Sequence, residues 1–252
     1  MTEITPGTQP ELTPGLTQWQ RVTNTFAAPS KTFNDIAAGN RSWWLPFVLM
    51  VLLGYLFFAV IQVKVGWSQV AENAIHMNAK TEEKLAQAPP ESRAQAVKFT
   101  QYAIEGGFLA APVLIVVGSL LCALVLWGTI NFIFGGKATF SSVFVVWMYA
   151  SLPGIIKTLL GSAVAFFTAP ESFNIQNFAP TSIGAFLSPS ETNAALYKLA
   201  TSLDITTIWS LALTGIGLAA VARVKRSSGY MAVFGWWLLI LVVSVGWTAA
   251  MG

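Results

Sequence analysis

Five long apolar runs constrain this chain more than any other feature. They cover residues 43–63, 108–134, 143–167, 205–222 and 230–251. An α-helix rises about 1.5 Å per residue and the hydrocarbon core of a bilayer is about 30 Å thick, so roughly 20 apolar residues cross it. Four of the runs carry no Asp, Glu, Lys, Arg or His, and the third carries one charge, Lys157. Only 10% of the 252 residues are charged, against about 25% in ordinary soluble domains, so a water-exposed surface could not be built around these runs. The expected fold class is therefore all-α: a polytopic membrane protein with five transmembrane helices, short interfacial helices and a helical first loop.

Trp43, Trp44, Trp67, Trp147, Trp209 and Trp247 fall near the ends of the runs, where indole rings favour the headgroup level. A net charge of +3 suits anionic lipid, but no Lys/Arg cluster is dense enough to point to nucleic acid. Cys122 is the single cysteine, so no intrachain disulfide is expected. Residues 1–42 lack an early apolar core, and the first span is expected to serve as its own insertion signal.

Between and before the spans the chain alternates polar breaks with short helical stripes. Residues 1–17, rich in Thr, Pro and Gly, read as a disordered tail. Residues 18–42 read as interfacial N-terminal helices. Trp19, Val22 and Phe26 share one helical face, Pro29-Ser30 interrupts it, and Ser30 is expected to cap a second stripe of Phe33, Ile36 and Ala37. The first loop, residues 66–103, reads as a helical hairpin. Trp67, Val70, Ala71, Ala74 and Ile75 line its first arm, Pro89-Pro90 breaks it, and Ser92 with Gln95 offers capping-box chemistry for the second. The connection 168–204 turns helical after Pro189-Ser190, and Asp204 is expected to N-cap the fourth span.

Orientation follows from the cations. With the N-terminus inside, the inner segments hold Arg21, Lys31, Arg41, Lys137, Arg223, Lys225 and Arg226, and the compact Arg223–Arg226 cluster lies directly beside two spans. The opposite side holds Lys64, Lys80, Lys84, Arg93, Lys98 and Lys198 over a longer stretch of chain. The positive-inside rule thus favours an inner N-terminus.

The constellations an intramembrane enzyme needs are missing. The one histidine, His76, rules out a His-Glu-x-x-His zinc site, and the serines at Gly118-Ser119 and Gly161-Ser162 have no histidine at their depth. The two aspartates, Asp35 and Asp204, read as lying at membrane edges, and no phosphate-binding Gly-rich loop occurs. No catalytic residue, cofactor or metal is expected. Lys157 follows Pro153-Gly154, which should kink the third span, and Lys157 with Pro153 is the candidate intramembrane functional site. No carboxylate is expected at its depth. Lys157 then snorkels or caps a carbonyl around the kink, and Lys157→Leu leaves folding intact.

Several short motifs in a fixed order carry a resemblance. Pro29-Ser30-Lys31-Thr32-Phe33 with Ile36 precedes Trp43-Trp44-Leu45-Pro46-Phe47 at the first span. Asn131-Phe132 leads into Gly135-Gly136-Lys137-Ala138-Thr139-Phe140; Tyr149-Ala150-Ser151-Leu152-Pro153 and Trp209 follow. Over roughly residues 20–250 this resembles the bacterial branch of the Yip-domain family, polytopic proteins named for interaction with Ypt/Rab GTPases in eukaryotes. The resemblance implies five spans, a cytoplasmic N-terminus and, in eukaryotic relatives, membrane-trafficking or membrane-shaping work. The eukaryotic Asp-Leu-Tyr-Gly-Pro-Phe segment is reduced here to Trp44-Leu45-Pro46-Phe47, so the resemblance by itself does not imply Rab-type GTPase binding for this chain.

The resulting expectation is a non-enzymatic scaffold or partner-binding module in the cytoplasmic membrane of a bacterium. Its partners are the lipid bilayer and an unidentified protein, with self-association as one form of the latter, and no nucleic acid. Trp19, Phe26 and Phe33 are the candidate membrane or partner contacts. The alternative is a transporter or transport accessory subunit that uses the kinked third span and Lys157.

Overall fold

The computed structural model of the protein describes residues 15–189 and 191–251; most of the expected N-terminal tail, and Ser190, lie outside the described residues. Two short helices open the chain, α1 (Gln18–Ala27) and α2 (Pro29–Ala37), followed by the first span α3 (Trp44–Lys64). The first loop folds as α4 (Trp67–His76), α5 (Ala79–Ala86) and α6 (Pro90–Leu109), and α7 (Ala111–Gly128) continues through a π-helical turn at Thr129–Ile133 to complete span two. Span three is broken into α8 (Phe140–Ala150) and α9 (Pro153–Phe167). After three 3-10 turns come α10 (Ala194–Ser202), span four as α11 (Ile205–Ala222) and span five as α12 (Arg226–Met251). Five helical segments are long and apolar enough to cross a membrane: Trp44–Lys64, Ala111–Ile133, Phe140–Phe167, Ile205–Ala222 and Arg226–Ala250. The protein is an all-α, integral membrane protein.

The local chemistry of several helix ends differs from the sequence expectation. Ser30 does not cap α2; Pro29 takes the first helical position, where its missing N–H costs nothing, and the Ser30 hydroxyl instead accepts from Arg226 Nη2 at 3.1 Å. Ser92 and Gln95 form no capping box either, because α6 already begins at Pro90. The first loop holds three helices rather than two. The extra one, α5, is N-capped by Asn78 and joined to its neighbours through Glu82, which meets His76 Nδ1 at 3.3 Å and Arg93 Nη1 at 3.2 Å. Asp204 does cap α11, accepting from the N–H groups of Thr206 and Thr207.

The turn between spans two and three shows what its Asn-Phe…Gly-Gly sequence does. Asn131 brackets Ala138, donating to its carbonyl and accepting from its N–H, both at 2.9 Å. Gly135 takes φ 67°, a left-handed conformation open to glycine at little cost. Gly136 N–H then returns to the Ile130 carbonyl at 3.0 Å. Span five is tied to the same place by Trp236 Nε1, which donates to Thr129 Oγ1 at 2.8 Å.

Spans three and four form the centre. Half of the most apolar window in each is buried against protein (50%), against 17–22% in the other three spans. Leu52, Leu56, Leu114, Leu121, Leu239 and Ile240 on the outer spans are exposed, as lipid-facing side chains must be. Between helices in lipid no hydrophobic drive remains, so association rests on close packing past small residues. Gly217 of α11 is such a point: a Cβ there would overlap Val146 of α8 and the Phe33 ring of α2. Gly217→Ala is therefore expected to lower stability by about 1–3 kcal/mol through overpacking, whereas Gly54→Ala, which opens onto free space, should be neutral or stabilising. Unfolding of the purified variants in detergent, followed by circular dichroism, measures both.

Candidate functional site

Two charged constellations lie inside the bundle, one at each side of the broken third span. The first fastens the N-terminal helices. Thr17 and Gln20 form a reciprocal capping box that starts α1 and sets its register, and that register turns Arg21 inward. Arg21 is 1% exposed. Its Nε faces Asp35 Oδ2 of α2 at 3.5 Å, its Nη1 donates to the Ser42 carbonyl at 3.0 Å, and its guanidinium lies 5.2 Å from the Tyr149 ring centre. The Arg21 carbonyl accepts from the Thr25 and Thr32 hydroxyls at 2.7 and 2.9 Å, which joins α1 to α2. Gln18 Oε1 accepts from Tyr149 Oη and from Leu45 N–H, both at 3.3 Å, and its amide donates to Ser42 Oγ. Polar groups this deep are costly unless paired, and here nearly every one is spent on holding α1 and α2 against α8 and the start of α3.

The three aromatic contacts expected on this segment divide. Phe33 is fully buried, packed with Ile36 in the main core against α8 and α11, so it is a core residue and not a membrane or partner contact. The stripe that shows an apolar face does not say whether lipid or protein covers it. Phe26 is half-buried and meets Trp209 of α11 edge-on at 5.6 Å. Trp19 is 62% exposed.

The second constellation overturns the reading of Lys157 as an unpartnered charge. Lys157 Nζ lies 2.9 Å from Asp204 Oδ2, with the Lys157 side chain 26% and the Asp204 side chain 3% exposed. The same oxygen accepts from Thr181 Oγ1 at 2.6 Å, and Oδ1 accepts from the Thr206 hydroxyl and the Thr206 and Thr207 N–H groups. Each donor favours the ionised carboxylate. An aromatic contact encloses the pair. Phe178 covers Gly161, lies 5.4 Å from Lys157 Nζ, and stacks on Phe57 at 4.8 Å, two turns before the end of α3. Asp204 stands one residue before span four, as the sequence indicates, and what the sequence did not show is that Lys157 reaches it. The connection between spans three and four folds back and brings Thr181 and Asp204 to Lys157. The Ile205 N–H to Thr181 carbonyl bond at 2.9 Å fastens the returning connection to the start of α11.

Pro153 has the expected effect on the helix: α8 ends at Ala150, Ser151 Oγ accepts the break by donating back to the Trp147 carbonyl at 2.8 Å, and α9 starts at Pro153. The expectation that Lys157→Leu is harmless does not survive the pairing. Removing the cation leaves a nearly buried carboxylate with one partner fewer, at about 1–3 kcal/mol. The double variant Lys157→Leu/Asp204→Asn is expected to lose less than the sum of the single variants, by about 0.5–3 kcal/mol of coupling. A denaturation cycle in detergent micelles reads this directly, and strict additivity would contradict the pair.

No group of three or more His, Cys, Asp or Glu side chains with metal-binding geometry occurs among the described residues. Neither a curated protein nor a solved structure matches the chain. The Yip1 domain, however, matches residues 23–248, a stretch that contains α2, the Asn131–Phe140 turn, the broken third span, the first four membrane helices and most of the fifth. With nearly its whole length covered, the chain belongs to the Yip1 domain family.

Proposed function

We propose that the protein is a non-enzymatic scaffold of a bacterial cytoplasmic membrane, with its N-terminus inside, and that it presents α1 and α2 as a fixed platform to a protein partner. The observation that carries this reading is the Arg21–Asp35–Tyr149 clamp. A segment that merely floated on lipid would need no buried guanidinium to hold it, whereas a docking surface gains from being rigid before its partner arrives. Trp19 stands on the outer face of that platform, and exposed tryptophan is the residue type most often found at the energetic centre of interfaces. The rival surface, the first loop, has its apolar stripe already occupied. Trp67 and Val70 pack with Phe57 and Ile61, while Ala71 and Ile75 pack with Val97 of α6.

A second reading, a transport accessory, is favoured by one observation, the Lys157–Asp204 pair beside a broken helix, which is the kind of place where transporters bind their substrates. The scaffold reading is preferred because the carboxylate's donors are all supplied by the protein itself.

Two outcomes test the proposal. Trp19→Ser is expected to leave accumulation and thermal stability unchanged while removing the proteins that cross-link to α1 in native membranes. If those neighbours persist and vanish only when residues 66–103 are replaced by a flexible linker, the docking surface is the first loop. For topology, single cysteines at Gln87 and Ser227 in a Cys122→Ser background should label oppositely in intact cells: Gln87→Cys with a membrane-impermeant maleimide, Ser227→Cys only after permeabilisation.

A further inference from the structure

The end of the bundle that bears α1 and α2 is strongly cationic. Its described segments carry Arg21, Lys31, Arg41, Lys137, Arg223, Lys225 and Arg226 against one carboxylate, Asp35, which is engaged by Arg21. Three of these cations come from three different segments to line one cleft of about 320 Å³: Arg41 before span one, Lys137 in the turn between spans two and three, and Arg223 after span four. Thr139 and Ser142 line the cleft from the start of α8, and Ala37 and Val221 give it an apolar side. No acidic side chain lines it, and among the described residues none of the three cations has a carboxylate within ion-pair distance.

The backbone holds these charges together despite their repulsion. Lys137 N–H donates to the Ala222 carbonyl at 3.1 Å, which locks the turn to the end of α11. Arg41 Nη1 donates to the Ile36 carbonyl at the end of α2. Arg223 itself adopts φ 56°, ψ 43°, the left-handed conformation that closes a helix and that glycine takes freely while other residues take it at a cost. It is the one non-glycine residue with positive φ among the described residues. A guanidinium kept where glycine would relieve strain, next to two further cations, fits a charge retained for an anion. The N-terminal turn of α8 adds the favourable end of a helix dipole to the same cleft.

We propose that this cleft binds the phosphate group of an anionic phospholipid headgroup. A lipid is favoured over a free anion by position. Arg41 lies two residues before Trp43, Trp44 at the start of span one is exposed, and Arg223 directly follows span four, so the three cations stand at the ends of spans, where headgroups lie, beside the apolar Ala37 and Val221. The site joins elements from spans one to four, and it does so whether or not α1 docks a protein partner.

Native mass spectrometry of the full chain in a neutral detergent, titrated with phosphatidylglycerol, phosphatidylcholine or inorganic phosphate, tests this. Phosphatidylglycerol is expected to form a retained one-lipid adduct that phosphatidylcholine does not match. Arg41→Gln, Lys137→Gln and Arg223→Gly should each weaken it roughly fivefold, the effect of one cation near an anionic lipid surface. Arg223→Gly is the decisive variant, because it should raise the thermal midpoint while lowering lipid affinity, so a loss of binding cannot be blamed on misfolding. Lys31→Gln, on the same end but outside the cleft, should leave affinity unchanged. Affinity retained in Arg223→Gly, or lost equally in Lys31→Gln, would overturn the proposal. Inorganic phosphate that displaces the lipid with equal affinity would assign the cleft to a free anion and overturn the lipid assignment.

Discussion

The Asp204 carboxylate holds together more of this protein than any other group. One oxygen starts span four by accepting the first free N–H groups of α11, and the other grips Thr181 of the folded-back connection and Lys157 of the broken third span. Three chain segments that are far apart in sequence thereby meet at one point within the bundle. In lipid a break in a helix and a stretch of irregular backbone are both prohibitive unless protein covers them. Here each covers the other, and the carboxylate is the joint. Span three can be broken because span four and the returning connection pack against it, while spans one and five run as unbroken helices that face lipid.

The same logic governs the end of the bundle that bears α1 and α2, with opposite signs. There the buried charge is a cation, Arg21, and the groups that satisfy it are an aspartate, a backbone carbonyl and the face of Tyr149. Tyr149 sits in the last turn of α8, at the break in span three, so the segment that interrupts the helix also receives the N-terminal platform. The Tyr149–Pro153 motif thus serves packing on one side and chain geometry on the other.

What could be read from the sequence was what depends on composition or on neighbours a few residues apart. The five spans are visible because a run of apolar residues has one stable fate in a cell membrane. The Asp204 cap and the Pro153 break rest on local backbone chemistry. The ion pairs were hidden, since Arg21 meets Asp35 across a helical hairpin and Lys157 meets Asp204 across a whole connection. The sequence did contain a signal: a lone lysine in a span together with an aspartate rated as a mere cap, each more easily accommodated with the other. Phe33 was misjudged for a related reason, because an amphipathic stripe is the same whether lipid or another helix lies against it.

The turn at Asn131–Ala138 has a consequence for how such a chain can change over time. Because an asparagine side chain imitates a backbone strand there, and span five hangs on it through Trp236, altering one of these positions disturbs three spans at once. The exposed faces of α3, α7 and α12 answer only to hydrophobicity, and one aliphatic side chain serves there as well as another. Sequence drift therefore has wide freedom over much of the surface and almost none in the turns. Two such proteins could share every joint and little else, recognisable by the order of a few short motifs rather than by overall identity.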